Sequence, residues 1–286
     1  MSHAPVLIVV TLLLAAFVVP LLYKRLPYAQ VVFALGIVTS AFYSIRMAFV
    51  VLRQGTLLYY VGGWPPPYGI EIVADAFGAY ASLVMALISL PIAYFVVVAP
   101  REVNTPSRYM ALILLLMAAM QGMVLAGDLF NLFVFIEICS LSAIAIIALK
   151  GTKDSIEASF RYLILSALGS GGILFAVALI FMITGHLNMS FVRETLSTTA
   201  SLYPLNTLTA VAFIFIGFAV KAAIFPLHVW LPEAHSTAPT ASSALLSGLV
   251  IKAYLVAFVR VIYLVLGADL FVALPLRPVL LVDRKS

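Results

Sequence analysis

Residues 213–259, FIFIGFAVKAAIFPLHVWLPEAHSTAPTASSALLSGLVIKAYLVAFV, contain two apolar helical runs that a proline-rich break separates. Lys221 lies inside the first run and Lys252 inside the second, while Pro226, His228 and His235 lie in the break. A charged side chain at the depth of a bilayer core is costly and needs a partner, water or a functional role. Two lysines on either side of a broken helix therefore predict an ion path.

The composition of the whole chain is that of a membrane protein. Of the 286 residues, 64% are hydrophobic and 9% are charged, which leaves too few charges to cover the surface of a soluble domain. The apolar runs are continuous, whereas the strands of a membrane β-barrel would alternate apolar and polar residues. We therefore predict an all-α polytopic protein embedded in the lipid bilayer. The net charge of +5 then indicates topology and gives no reason to expect nucleic-acid binding.

Eight segments are apolar enough to span a bilayer, since a span needs about 20 residues. They cover residues 4–23, 28–52, 74–99, 109–126, 129–149, 160–184, 206–231 and 239–263, and the seventh is broken near Pro226. Residues 53–75 contain Gly62, Gly63 and three consecutive prolines, which predicts an ordered external loop without a helix. A ninth span in residues 267–282 would be short, and Arg277 interrupts it.

These spans suggest three parts of the chain and an orientation. Residues 1–107 hold three helices, residues 108–265 hold five, and residues 266–286 form a short tail or a partial ninth helix. The connections after the first, third and fifth spans hold seven basic residues: Lys24, Arg25, Arg101, Arg108, Lys150, Lys153 and Arg161. The opposite connections hold only Arg53 and Arg193. Because basic loops stay in the cytoplasm, the N-terminus is predicted to lie outside.

Glu137 and Lys221 are the strongest candidates for ion chemistry. Glu137 is the only acid in the middle of a predicted span. It either serves packing as a neutral or hydrogen-bonded carboxyl, or it forms an ion pair with Lys221 inside the membrane. Lys221 precedes Pro226 by five residues, and a proline frees backbone carbonyls one turn back, where they can hold water.

The other polar residues each allow a functional and a structural interpretation. Lys252 has no nearby helix end, so it either relays protons or makes a structural ion pair with a partner subunit. His228 and His235 can titrate near neutral pH and relay protons, or they can simply hydrogen-bond the break. Their spacing of seven residues across prolines is not a metal signature, and we predict no metal site. Arg46, Arg161 and Arg260 lie close enough to helix ends to reach the interface.

Motifs for enzyme catalysis are not visible. The sequence has no phosphate-binding loop, dinucleotide fingerprint, CxxC motif or Ser-His-Asp arrangement. We therefore expect no catalytic centre and no cofactor within this chain. Any enzymatic step would belong to the complex in which the chain acts.

Three segments resemble a known family. They are residues 127–149 (GDLFNLFVFIEICSLSAIAIIAL), 184–189 (TGHLNM) and 221–239 (KAAIFPLHVWLPEAHSTAP). They are similar to the antiporter-like membrane subunits of Mrp-type sodium/proton antiporters, membrane-bound hydrogenases and respiratory complex I. Residues 62–70 (GGWPPPYGI) look closer to the Mrp and hydrogenase branch. The resemblance covers nearly the whole chain to about Tyr263.

The resemblance implies a role for each candidate residue. Glu137 would match the fifth-helix glutamate, Lys221 the seventh-helix lysine of the ion pair, and Lys252 the eighth-helix lysine that passes protons onward. His228 and His235 match polar positions near that path. The family fold has two inverted five-helix repeats, and residues 109–263 correspond to the first one.

The resemblance also implies a partner and a location. Family members of full size have a second repeat, which this sequence lacks. We expect another chain to supply it, unless the sequence is a fragment of a longer product or a spacer. The expected function is proton or cation translocation in a multi-subunit complex of a prokaryotic plasma membrane, with or without a peripheral redox module. The alternatives are a structural assembly subunit without ion flux and a stand-alone transporter, against which the absent repeat counts.

Overall fold

Helices that cross a membrane dominate the fold. A computed structural model describes residues 3–98 and 102–267. The helices in chain order are α1 (Ala4–Leu21), α2 (Leu26–Gln54), α3 (Ala76–Val98), α4 (Pro106–Leu125), α5 (Leu129–Ala148), α6 (Lys153–Thr184), α7 (Met189–Thr199), α8 (Pro204–Lys221), α9 (Leu231–Thr237) and α10 (Thr240–Leu266). In these ranges all but α7 and α9 are long and apolar enough to span a bilayer. The predicted polytopic fold and eight spans are confirmed, while the expected tail or ninth helix lies outside the described residues from 268 onward.

Local sequence signals fix the ends of several helices. Proline occupies the first turn of α1, α2, α4, α8 and α9, where its missing N–H is not needed. The Asp128 carboxylate caps α5 by accepting the Asn131 N–H at 2.8 Å. Thr152 caps α6 in the same way, and Gly185 ends this helix with a φ of 71°.

The helix α4 is the centre of the bundle. It contacts α1, α2, α3, α5 and α10. A buried polar contact joins it to α3, since Gln121 accepts the Ser82 hydroxyl at 2.6 Å and donates to the Ser82 carbonyl at 3.1 Å. The first three helices and two of the later spans, α5 and α10, therefore pack around α4.

The helices α6 and α8 approach each other closely through two glycines. A Cβ atom on Gly217 would lie 2.7 Å from the Gly169 carbonyl oxygen, so a larger residue would force the helices apart. The contact lies one turn before Lys221 on α8 and one turn after Ser166 on α6, and it sets the distance between these two residues.

The loop between α2 and α3 is ordered, as predicted, but it contains a β-hairpin that the sequence did not suggest. Strand β1 (Leu57–Tyr60) pairs antiparallel with β2 (Glu71–Ala74), with Leu57 opposite Ala74. The Glu71 carbonyl accepts the Gly127 N–H at 3.0 Å, and the Glu71 carboxylate accepts the Asn188 amide at 2.5 Å. The hairpin thus joins the α4–α5 turn and the start of α7 at one end of the bundle.

Candidate functional site

Lys221 is the last residue of α8, and its side chain is fully buried. The helix ends here because the next residues leave helical geometry, with Ala223 in the left-handed region at a φ of 53°. The break therefore begins before Pro226, five residues earlier than the proline itself, and Pro226 is exposed. The Trp230 indole donates to the Val220 carbonyl at 2.9 Å and so satisfies one carbonyl that the helix end leaves free.

The Lys221 ammonium has three polar neighbours inside the bundle. It donates to the Ser140 hydroxyl of α5 at 2.6 Å and to the Ser166 hydroxyl of α6 at 2.6 Å. The Glu137 carboxylate lies 3.7 Å away. The negative end of the α8 dipole adds to this environment, because cations are stabilised at helix C-termini. A buried ammonium is thus accommodated without a close ion pair.

Glu137 faces the ammonium but is loosely held. Its side chain is 31% exposed, whereas its Oε1 atom is buried and accepts no hydrogen bond from the residues that the structure describes. A separation of 3.7 Å permits electrostatic attraction but is too long for a direct hydrogen bond. The carboxylate can therefore change partner or take up a proton without breaking a hydrogen bond to the protein.

A polar network extends from Lys221 towards α10. The Ser140 and Tyr254 hydroxyls lie 2.9 Å apart, and Tyr254 is fully buried on α10. The chain of contacts Lys221–Ser140–Tyr254 links α8, α5 and α10. Each member is a hydroxyl or an amine that can both hold and donate a proton.

A second polar row runs along α6. Tyr162, Ser166 and Ser170 follow each other at four-residue spacing, so they share one helix face, and all three are buried. Within the described residues, the Tyr162 and Ser170 hydroxyls have no hydrogen-bond partner. Buried hydroxyls of this kind call for water or a transient partner. The Tyr162 ring also stacks on Trp230 at a centroid distance of 4.1 Å.

Lys252 lies apart from this cluster. The sequence suggested a lysine in the interior, but the side chain is on the exposed face of α10 and donates to the Ser247 carbonyl. The reason is helical geometry: Tyr254 faces Ser140, and a residue two positions earlier points to nearly the opposite side. The expectation that the Lys252 side chain lies in the interior of the bundle is therefore wrong within this chain.

The two histidines occupy different environments. His235, in α9, lies 3.0 Å from the Ser243 hydroxyl through its Nδ1 atom. Partial burial lowers the pKa of His235, and the nearby charge of Lys252 lowers this pKa further. His228 is half-buried in the break, and its buried Nδ1 atom has no partner among the described residues. The structure thus associates His235 with Lys252, and it does not connect His228 to either lysine by a hydrogen bond.

Arg260 is buried, contrary to the expectation that it reaches the interface. It is 2% exposed and forms an ion pair with Asp75 at 2.7 Å. It also donates to the Val73 carbonyl at 3.2 Å and to the Ala126 carbonyl at 3.4 Å. The arginine therefore joins α10 to the hairpin and to the α4–α5 turn, because their carbonyls offer partners that lipid headgroups would otherwise provide.

Sequence reasoning found the ion pair but missed most of the polar neighbours. No feature of the sequence separates Ser140 from Ser142 in the same predicted span. The four-residue spacing of Tyr162, Ser166 and Ser170 is a signal that would have found the α6 row. No local signal identifies Tyr254 or Asp75, because their partners lie 114 and 185 residues away along the chain.

The comparisons with known proteins agree with this fold. The family model described as NADH:quinone oxidoreductase/Mrp antiporter, transmembrane, matches residues 126–278. An NADH-quinone oxidoreductase subunit of Desulforudis audaxviator is 36% identical, and the match covers 93% of this chain and 54% of that protein. A Na(+)/H(+) antiporter subunit of Alkalihalophilus pseudofirmus is 29% identical, with 92% and 52% covered.

A solved structure supports the same fold. A chain of the membrane-bound sulfane sulfur reductase, an archaeal respiratory membrane complex, is 33% identical and superposes with a TM-score of 0.85. The match covers 95% of this chain and 55% of that one. The chain thus spans about half the length of the curated relatives it matches, and these relatives are subunits of larger membrane complexes.

Proposed function

The chain belongs to the NADH:quinone oxidoreductase/Mrp antiporter transmembrane family, and on this premise we propose that it translocates protons or another cation as one subunit of a membrane complex. The other subunits of this complex are membrane proteins, as in the complexes of its relatives. The observation that carries the proposal is the fully buried Lys221, placed at a helix break between two serines and a loosely paired glutamate. A buried charge with adjustable partners suits transfer better than packing.

The proposed route uses the polar contacts around Lys221. Protons reach the Glu137–Lys221 pair along the α6 row of hydroxyls and leave through Ser140 and Tyr254 towards α10. Lys252 and His235 then carry the proton onward, and His228 lies near the break. Because Lys252 faces outward, the proton path continues on a neighbouring chain. A charge on that chain, next to Lys252, changes the protonation state that Lys221 favours, which couples the subunits.

The remaining assignments follow the same proposal. Residues 108–265 act as one antiporter-like repeat, residues 1–107 support it, and a further chain supplies a second repeat. The N-terminus lies outside the plasma membrane of a prokaryote, as the distribution of basic residues favours. A peripheral redox module is the driving partner if the complex is of the respiratory type, whereas an Mrp-type complex exchanges protons for sodium ions without one.

The test is the Lys221→Ala variant in the intact complex, assayed for cation-coupled proton movement in inverted membrane vesicles. We expect transport to fall to the level of vesicles that lack the complex, while native electrophoresis still shows the assembled complex. The matched control is Lys153→Ala, which removes an exposed lysine at the start of α6. Retained transport in the Lys221 variant would refute the proposal.

A second candidate function is that of an assembly subunit without ion flux. The outward position of Lys252 favours it, since an exposed lysine at membrane depth suits an ion pair with a partner. If this function is right, Lys252→Ala and Glu137→Gln should lower the yield of the complex and leave transport per assembled complex unchanged. Normal yield with lost transport would eliminate it.

Co-purification in mild detergent identifies the type of complex. Iron–sulfur, flavin or nickel subunits alongside this chain would indicate a redox-driven pump. Small hydrophobic partners alone would indicate an Mrp-type antiporter. A solitary folded chain would contradict the proposed role as a subunit.

A further inference from the structure

A cavity of about 590 Å³ lies between the α1–α2 turn and the start of α4. Its lining residues are Pro20, Tyr23, Leu26, Asn104, Thr105, Pro106, Ser107 and Arg108. Both connections lie at the same end of the bundle, where helix ends meet the surface. This cavity is distant in the fold from the Glu137–Lys221 pair, which lies among α5, α6 and α8, and the proposed function does not use it.

The charged residues that line the cavity or lie in the α1–α2 turn are positive, whereas Glu102, two residues before Asn104, accepts the Thr240 N–H. Arg108 lines it and is exposed, and Lys24 and Arg25 occupy the turn between the lining residues Tyr23 and Leu26. Lys24 lies over the Tyr23 ring at 5.7 Å from its centroid, and Arg25 lies 6.0 Å from the centroid of Tyr28. None of these three cations has an ion pair with an acid among the residues that the structure describes. No lining residue is acidic, so the cavity suits an anion.

Ser107 adds a buried polar group to the cavity wall. It is 5% exposed and lines the cavity. It lies in the first turn of α4, whose capping residue Thr105 makes no side-chain hydrogen bond to the helix. Free N–H groups and the positive end of the helix dipole therefore face the same region. The Ser107 side chain on the cavity wall, the free amides and the three cations match the oxygens of a phosphate group.

The surface next to the cavity is apolar and exposed. Leu14, Phe17 and Leu21 lie on one face of α1 that leads to the cavity, and they are 60%, 74% and 78% exposed. Tyr23 and Tyr28 are exposed at the mouth, in the position that aromatic residues take at a membrane interface. A ligand that fits both surfaces has an anionic phosphate and long hydrocarbon chains. Free phosphate would use only the cavity.

We propose that this cavity binds the headgroup phosphate of an anionic phospholipid, whose acyl chains lie along the exposed face of α1. Basic pockets between membrane helices bind such headgroups in other proteins. The lipid would join the α1–α2 turn to the α3–α4 connection. It therefore holds the outer helices against the central helix α4.

The test measures lipid binding to the purified complex by native mass spectrometry, with phosphatidylglycerol and phosphatidylcholine added in turn. Phosphatidylglycerol should bind this chain more tightly than phosphatidylcholine. Arg108→Gln should weaken phosphatidylglycerol binding about fivefold, because one basic residue near a headgroup contributes that much. Lys24→Gln is a second variant on the opposite wall and should have a similar effect, so the test does not depend on the folding of one variant.

The matched control is Arg53→Gln, which removes an exposed arginine at the other end of α2. Unchanged lipid binding in this control, together with weaker binding in the other two variants, supports the site. An equal loss in all three would mean diffuse attraction to lipid and would overturn the proposal. Displacement of phosphatidylglycerol by millimolar inorganic phosphate, with equal thermal stabilisation, would show that the cavity takes free phosphate and that the lipid assignment is wrong.

Discussion

Two charged contacts in this bundle, Arg260–Asp75 and Lys221–Glu137, are built in opposite ways. The Arg260 guanidinium lies 2.7 Å from Asp75 and also donates to two backbone carbonyls. The Lys221 ammonium lies 3.7 Å from Glu137 and is held by two serine hydroxyls instead. Both cations are buried, so burial alone does not separate a structural charge from a functional one.

The two contacts differ in how readily the groups around each cation can change their hydrogen-bond partners. Asp75 accepts from Arg260 and also from the Gly78 N–H, and two backbone carbonyls accept from Arg260 at the hairpin end. Only the buried Arg260 Nε has no partner among the described residues. Around Lys221 the carboxylate makes no hydrogen bond to the described residues, and the serines can reorient their hydroxyls. A tight contact of the first kind resists change, whereas a loose contact of the second kind has alternative states of similar energy.

The largest effect is expected from Arg260→Met. The change leaves two carbonyls without the guanidinium and leaves Asp75 with the Gly78 N–H alone, and breaking a buried pair costs about 3–5 kcal/mol. We expect a strongly lowered thermal midpoint of the purified complex and a lower yield, measured by scanning fluorimetry and native electrophoresis. The double variant Arg260→Met with Asp75→Asn should recover part of the loss. An unchanged midpoint would show that this contact does not hold the hairpin end together.

Glu137→Gln should separate stability from function at the second contact. The amide removes a carboxylate that lies 3.7 Å from Lys221, so we expect a cost of about 1–3 kcal/mol, less than at Arg260. Transport in vesicles should be abolished, because a glutamine cannot bind and release the proton. The comparison between the two contacts fails if Glu137→Gln destabilises the complex as much as Arg260→Met does.

The serines around Lys221 allow a finer test. Ser140→Ala removes one acceptor of the ammonium and also the contact to Tyr254, whereas Ser166→Ala removes one acceptor only. Transport should fall in both variants and fall further for Ser140→Ala. The control is Ser159→Ala on α6, a buried serine whose hydroxyl donates only to the Ile156 carbonyl. Equal transport in the Ser140 and Ser166 variants would argue against a route through Tyr254.

The smallest expected effect concerns His235. Its pKa lies below the ordinary value because burial and the Lys252 charge both disfavour the imidazolium, so its contribution to stability is present above the ordinary pKa of about 6.5 and is lost as pH falls through the lowered pKa. In Lys252→Gln the pKa should rise but stay below the ordinary value, since burial remains. The pH dependence of diethylpyrocarbonate modification, followed by peptide mass spectrometry, measures this change.

Lys153→Gln is the control for that measurement, because it removes an exposed lysine from the start of α6. The His235 pKa should not move in this variant. An unchanged pKa in Lys252→Gln would mean that the two residues do not interact, and the proposed stage from Lys252 to His235 would lose its support.

Several features were predictable because they are local properties of the sequence. Continuous apolar runs define the spans, and the cost of a charge in such a run singles out Glu137 and Lys221 before any contact is known. The Asp128 cap and the loop with three prolines follow from residue type and position in the same way. The hairpin was missed since its strands have only four residues each and pair across a loop.

The sequence by itself determined that the described part of this protein is a bundle of eight spans with a carboxylate and an amine at membrane depth, because these features depend on neighbouring residues alone. Only the tertiary structure decided which way each helix faces. Helix rotation turns Lys252 outward and Tyr254 inward, and it brings Ser140 to Lys221 across 81 residues and Asp75 to Arg260 across 185. Such contacts are set by the packing of whole helices. The local sequence does not specify how each helix is rotated about its axis.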